Sequence, residues 1–281
     1  MSAPVQLRST FVEGPSRPRF RHLLTSEAVK LSSLRSSVAL VLGMVLFALA
    51  VSMLYAVTAE QGGIPDGPST RFSLDAVTLG TVVFGQIIAG VLGVLVITSE
   101  YSSGTIQPTL AAVPRRELVL AAKALVLFPV LVGAALVALV GSWAATYPIY
   151  EALGIQTGLT APGFAAALAG GAVYVGLCGV FGLGVGTVLR SAAGGSVVVI
   201  CTTLLAPVLT SVLPGTDAVR AVRLVLLSHA GDSMVRLGDP ELGFADVSQQ
   251  YLSPGAGWIV ASVWAIAALV VGAVALRRRD A

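Results

Sequence analysis

The densest group of charged side chains in this sequence lies in one short polar segment, residues 99–123, between two long apolar runs. The segment reads SEYSSGTIQPTLAAVPRRELVLAAK, and its charged residues are Glu100, Arg115, Arg116, Glu117 and Lys123. Only 11% of the whole chain is charged, so this concentration sets the segment apart. It is the first candidate for a functional site.

The middle of this segment has the pattern of a short helix. Gly104 and Thr105 can begin it, with the Thr105 side chain as N-cap, and Pro114 with the following arginine pair ends it. Ile106, Leu110 and Val113 recur at helical spacing between those limits. A helix with an apolar centre and charged ends can dock into a groove on a soluble protein. A solvated connecting loop is the alternative interpretation.

The residues that could perform catalysis are few and scattered. The chain has only two lysines, Lys30 and Lys123, and neither follows a G-x-x-x-x-G run or precedes Ser or Thr, so there is no phosphate-binding loop for ATP. Its two histidines, His22 and His229, have no partners at catalytic or ligand spacing. Both cysteines lie in apolar runs, where a lone buried thiol is ordinary. We expect neither an enzyme nor a metal site, no cofactor in this chain, and no nucleic-acid partner.

The composition is that of an all-α protein embedded in a lipid bilayer. Mean hydropathy is +0.89 and 56% of the residues are hydrophobic, which a soluble protein of 281 residues would not show. About 20 apolar residues suffice to span the hydrocarbon. A helix satisfies its own backbone hydrogen bonds, which lipid cannot do. We predict six transmembrane helices, near 38–58, 76–98, 119–145, 161–189, 192–213 and 256–276.

The distribution of lysine and arginine predicts the orientation. With the N-terminus inside, 13 of the 17 basic residues fall in inner segments, and 9 of the 14 acidic residues fall in outer loops. Basic residues favour the cytoplasmic side of a membrane. Six spans then place both termini in the cytoplasm.

Two segments precede the first span. Residues 1–22 are basic and rich in polar residues, which predicts a disordered cytoplasmic tail before a membrane domain at 23–281. Residues 23–36 have helical periodicity, with Leu23, Leu24, Ala28, Leu31 and Leu34 on one side. We expect an amphipathic helix that lies in the membrane interface, or else a simple extension of the first span.

Two further patterns concern packing and the outer side. The glycines Gly176, Gly179, Gly182 and Gly186 share one helix face, which allows close helix contact, either within one subunit or at a dimer interface. The last outer loop, about 214–255, is the longest, and its stretch 217–228 is partly amphipathic. Short helices over the outer mouth would fit, and an irregular loop is the alternative.

Several polar and aromatic residues inside the spans could line a path for an amphipathic molecule. These candidates are Tyr55, Thr81, Phe84, Gln86, Ser142, Trp143 and Tyr174. The competing interpretation is that the polar ones form hydrogen bonds between helices.

The polar segment resembles the intracellular coupling segment of ABC-2 type transporter permeases. The matching residues are Glu100, Tyr101, Gly104, Thr105, Ile106, Thr109, Leu110, Pro114, Arg115 or Arg116, and Lys123. The run before the first span is similar to one in actinobacterial members of that family. It matches at Ser26, Glu27, Lys30, Leu31, Arg35 and Ser36.

This resemblance implies a function and a set of partners. Permeases of this family pair, so we expect a homodimer that binds two cytoplasmic ATPase subunits, which hold ATP and magnesium. Closure of the ATPases would move the coupling segment and drive export of an amphipathic substrate: a drug or antibiotic, a peptide, or a lipid-like compound. Glu100 would hold the N-terminal end of the coupling helix, and Arg115 or Arg116 would pair with acids on the ATPase. The expected location is a bacterial cytoplasmic membrane, and the expected role is multidrug efflux and antibiotic resistance.

Two other functions remain possible on the residues alone. A secondary carrier or channel could work without an ATPase, although such carriers usually keep an ionisable residue within the membrane and the predicted spans hold none beyond an interfacial lysine. The other possible function is that of a membrane scaffold that transports nothing.

Overall fold

The computed structural model describes residues 20–62, 69–105, 116–155, 157–237 and 243–278 of the chain. The described part is predominantly helical and contains six helices long and apolar enough to cross a membrane, as predicted. A short helix comes first, and the helical elements of the spans then follow in order: α1 Phe20–Ser33, α2 Arg35–Gly62, α3 Ser69–Thr78, α4 Gly85–Ser102, α5 Arg116–Ala152, α6 Phe164–Leu189, α7 Ala192–Ile200 and α8 Ala206–Val212. The sixth span is α11, Pro254–Arg278, which follows an outer region described below.

Two of the spans contain a π-helical turn. In the second span, Leu79–Phe84 joins α3 to α4, and in the fifth, Cys201–Leu205 joins α7 to α8. Neither was predicted from the sequence. A π-helical turn widens the helix locally and is frequent at functional sites.

Helix α6 lies at the centre of the bundle. In its most apolar window 72% of the residues are buried inside the chain, compared with 17% in the fifth span. Glycine explains this position, because a Cβ on Gly182 would lie 1.9 Å from the Gly90 carbonyl oxygen, and one on Gly93 would lie 2.0 Å from the Gly179 oxygen. The backbones of α4 and α6 therefore approach closely, as small residues permit in lipid. The glycine face serves packing within this subunit.

The long loop before the last span contains two short helices and a small hairpin. Helix α9 covers Asp217–Leu224 and α10 covers Leu227–Met234, while the strands Ala245–Asp246 (β1) and Tyr251–Leu252 (β2) pair antiparallel. Helix α10 is almost entirely buried and packs on α6 and α11. At the α6 contact, Gly231 lies against the Tyr174 ring, which a Cβ would approach to 2.3 Å.

The helix before the first span has a different buried face from the predicted one. It runs over Phe20–Ser33 instead of residues 23–36, and α2 begins at Arg35. Leu23 and Leu31 are buried as expected, but the third buried residue between them is Glu27. Ala28 and Leu34, assigned to the apolar side from the sequence, are exposed. A carboxylate in the buried face requires a partner, and that partner defines the candidate site.

Candidate functional site

Four charged side chains from three helices meet at one end of the bundle. Glu27 and Lys30 come from α1, Glu100 from the last turn of α4, and Lys123 from the first part of α5. The Lys123 ammonium lies 2.6 Å from Glu27 Oε2 and 2.7 Å from Glu100 Oε1. The Lys30 ammonium lies 2.9 Å from Glu27 Oε1 and 2.9 Å from Glu100 Oε1. We call these four residues the charge cluster.

The charge cluster is buried and electrically balanced. The side chain of Lys123 is 1% exposed, and those of Glu27 and Glu100 are 4% and 9% exposed, whereas Lys30 is 37% exposed. Two carboxylates and two ammonium groups cancel, so the cluster brings no net charge into the bundle. Hydrogen bonds between oppositely charged groups are short and about twice as strong as neutral ones. Removal of one partner would leave a buried charge uncompensated, which is the strongly unfavourable case.

The local sequence explains why these side chains face one another. Glu27 and Lys30 are three residues apart, so they lie on the same face of α1. Glu100 and Lys123 lie near the two ends of the polar segment, on α4 and α5, so their contact closes that segment at its base. Burial lowers the pKa of Lys30, but its hydrogen bonds to Glu100 and Glu27 outweigh that effect and raise the pKa above its ordinary value. Lys30 is therefore a cation at neutral pH.

The first turn of α5 is also fixed to the end of α11. Arg116 donates a hydrogen bond to the Leu276 carbonyl oxygen at 3.2 Å, and the Arg277 guanidinium lies 3.0 Å from Glu117 Oε1. The last pair is partly exposed and contributes little to stability by itself. These contacts add the C-terminal end of the last span to the helices that surround the base of the polar segment.

The structure describes Tyr101, Gly104 and Thr105 of the segment that resembles the coupling segment. Tyr101 lies next to Glu100, and the Arg190 guanidinium stacks over its ring at 5.0 Å. Gly104 has φ +72°, and its amide and that of Ser103 bond back to α4. Gly104 therefore ends α4, as a left-handed glycine commonly does. Thr105 follows in a turn.

The predicted coupling helix itself falls outside the described residues. This applies to Ile106, Thr109, Leu110, Pro114 and Arg115. Arg35, also assigned to the run before the first span, is the exposed first residue of α2 and is not part of the charge cluster.

A comparison with known families assigns the chain. A family model described as ABC-2 family transporter protein matches residues 23–204, more than half of the chain. The chain belongs to the ABC-2 transporter family. It is thus a multi-pass transmembrane subunit of an ABC transporter, which is not itself catalytic, and the family implies an ABC ATPase as partner. A search of curated proteins finds no match.

In this ABC-2 permease the two resembling runs form one site. The sequence patterns did not predict that Glu27 and Lys30 of the first run contact Glu100 and Lys123 of the second. The available signal was that both lysines of the chain lie in these runs, each of which also contains glutamate. The pairing itself required the tertiary structure.

The polar candidates for a substrate path are buried between helices. Gln86 of α4 and Tyr174 of α6 share a hydrogen bond, which supports the helix-packing interpretation for this pair. The hydroxyl groups of Thr81 and Ser142 are buried, and among the described residues neither has a hydrogen-bond partner. Thr81 lies in the π-helical turn of the second span.

The aromatic candidates lie in separate contacts. Tyr55 packs against Phe72 with ring centroids 5.7 Å apart. Trp143 donates a hydrogen bond to the Thr157 carbonyl oxygen at 3.0 Å. Phe84 packs edge-to-face on Phe47, with centroids 5.1 Å apart, and is partly exposed. Tyr55, Phe84 and Trp143 thus each contact a residue outside the candidate set.

The outer region holds a buried histidine that sequence analysis had treated as isolated. His229 of α10 forms a hydrogen bond with the backbone of Gln250, and among the described residues its Nε2 has no partner. Burial, together with the nearby Arg236 and Arg223, lowers the pKa of His229 to about 4. His229 is therefore neutral near pH 7.

Proposed function

We propose that the chain is the membrane subunit of an exporter, and that two copies of it act with two ATPase subunits. The cytoplasmic face would be the one that carries the charge cluster, because 13 of the 17 basic residues fall on that side of the predicted topology. The observation that carries the proposal is the charge cluster itself. It connects three helices at the base of the segment that resembles the family's coupling segment.

The charge cluster would transmit movement of the coupling segment into the bundle. Glu100 lies near the start of the segment and Lys123 at its end, and their contact at 2.7 Å holds α4 and α5 together. The contacts of Lys123 with Glu27 and of Lys30 with Glu100 attach α1 to the same point. Since separation of buried ion pairs is costly, α1, α4 and α5 would move as one body when an ATPase displaces residues 106–115.

The proposed substrate is an amphipathic compound, such as a drug, a peptide or a lipid-like molecule. The six spans present mainly apolar side chains, and the groove between α6, α7 and α11 is lined by Phe181, Val198, Trp264 and other apolar residues. Apolar walls with a few polar groups suit a largely apolar ligand. Export of such compounds across a bacterial cytoplasmic membrane would make the cell resistant to several drugs.

A linker substitution tests whether residues 106–115 bind the ATPase. Residues 106–115 can be replaced by a Gly/Ser linker of equal length, which leaves Glu100, Arg116 and Lys123 and their contacts in place. The tagged chain is then co-expressed and purified with its partner ABC ATPase. We expect the ATPase to be lost from this variant.

The matched control replaces residues 63–68, which connect the first two spans on the other side, by a linker of their own length. This control should keep the ATPase. Retention of the ATPase by both variants would refute the assignment of residues 106–115 as the docking segment.

A second experiment tests the arginine pair. Charge reversal by Arg115→Glu with Arg116→Glu should leave the chain in the membrane and uncouple ATP hydrolysis from export. Charge reversal at Arg71, which is exposed on the opposite side, is the control and should leave coupling intact. Unchanged export by the double variant would count against these roles.

A further inference from the structure

A cavity of about 360 Å³ lies beside the charge cluster, between α1 and the ends of α4 and α5. Apolar side chains line one part of it, among them Leu31, Leu34 and Val96. Glu27, Lys30, Glu100 and Lys123 line the other part. The cavity therefore offers an apolar wall and a charged wall to the same occupant.

One atom on the charged wall is incompletely bonded. Glu100 Oε1 accepts hydrogen bonds from both lysines, but Oε2 is buried and has no partner among the described residues. A buried carboxylate oxygen without a donor is costly. Since Oε2 is buried, an occupant of the cavity reaches it once the Glu100 carboxylate turns towards the cavity, which the broad terminal torsion of a glutamate allows. An N–H or O–H donor there would remove that cost.

A second atom on this wall can bind an anionic oxygen. The Lys30 ammonium has three N–H donors, and two of them bind Glu27 and Glu100. Its side chain is 37% exposed, so its remaining donor is accessible from outside the cluster. A single occupant could therefore accept a hydrogen bond from Lys30 and donate one to Glu100.

We propose that this cavity binds the headgroup of a phospholipid whose amine carries N–H donors, as phosphatidylethanolamine does. Its ammonium would donate to Glu100 Oε2, and its phosphate would accept from Lys30. The balanced charge of the cluster favours a headgroup without net charge over an anionic one. Helix α2 follows α1 along the chain and exposes apolar side chains such as Leu42 and Leu46, which would contact the acyl chains.

The test compares two lipids that differ only in their donors. The delipidated full chain in detergent is titrated with phosphatidylethanolamine or with phosphatidylcholine of the same acyl chains, and bound lipid is counted by native mass spectrometry. Choline has the same charge and phosphate but no N–H. We expect the ethanolamine lipid to bind roughly tenfold more tightly, as one hydrogen bond to a charged group predicts. Equal binding would overturn the proposal.

Protein variants locate the effect. Val96→Trp should fill the cavity and abolish the preference without touching the ion pairs, whereas Leu95→Trp, one position earlier on α4 and outside the cavity lining, should keep it. Glu100→Gln should reduce the preference because it removes the carboxylate. A preference that survives Val96→Trp would exclude this cavity as the site. The measurement needs no ATPase, so its outcome is independent of the proposed export function.

Discussion

Substitution of Lys123 by methionine would test the charge cluster most directly. Methionine keeps a long unbranched side chain but removes the ammonium that contacts Glu27 and Glu100. The two carboxylates would then share only Lys30. Because the Lys123 side chain is 1% exposed, water cannot replace the lost contacts without opening the bundle.

The structure supplies both the magnitude and a matched control. Loss of one partner from a buried ion pair costs about 3–5 kcal/mol, so we expect Lys123→Met to lower the free energy of unfolding by about that amount. Lys30 contacts the same two carboxylates at 2.9 Å but is 37% exposed. Water can compensate there, and Lys30→Met should cost about 1 kcal/mol or less.

The assay is equilibrium unfolding of the purified chain in mixed micelles, with the denaturing detergent as variable. A double variant, Lys123→Met with Glu27→Gln, restores the charge balance and should be less destabilised than the sum of its single variants, by about 0.5–3 kcal/mol. The reasoning is refuted if Lys123→Met costs no more than Lys30→Met, or if the two single effects simply add.

Three further predictions concern other parts of the bundle. Gly182→Ala should destabilise the chain by about 1–3 kcal/mol or more, because its Cβ would lie 1.9 Å from the Gly90 carbonyl oxygen. Gly133→Ala is the control and should not destabilise the chain, since a Cβ there has nothing within 4 Å. Thermal unfolding of the two variants measures the difference. Ser142→Ala should change stability by no more than about 1 kcal/mol, since its buried hydroxyl has no partner in the described part of the chain, and any loss of transport would then indicate a role in the path. His229 has a lowered pKa of about 4, so its contribution to stability is complete above its ordinary pKa of 6.5 and is lost as the pH falls towards 4. His229→Gln should remove that part of the pH dependence in unfolding measured between pH 7 and pH 4.

Sequence patterns alone located the six spans and a helix before the first. The ends of the second and third spans differ most, because Thr70–Ser102 and Arg116–Ala152 extend past the predicted 76–98 and 119–145 at both ends. Helices can continue into water beyond the hydrocarbon, so hydropathy marks the part in lipid and not the helix ends. Helix α10 was missed as a buried element, since its residues LSHAGDSM look like a polar loop.

The order of burial among the spans was not predictable from hydropathy. All six are strongly apolar, and lipid and protein interior select the same side chains. Glycine was the informative residue, because the face that includes Gly179 and Gly182 indicated close packing. Which helix it packs against, α4 within the same subunit, was decided by the tertiary contacts.

The sequence by itself determined that this chain crosses a membrane six times, because the bilayer imposes a local requirement of about 20 apolar residues per span. It also showed where charged residues concentrate, in and around residues 99–123, because only 11% of the chain is charged. Only the tertiary structure decided that Glu27 and Lys123, 96 residues apart, form one buried site with Lys30 and Glu100. Their contact depends on how three helices pack, and no local pattern in any one of the helices specifies that arrangement.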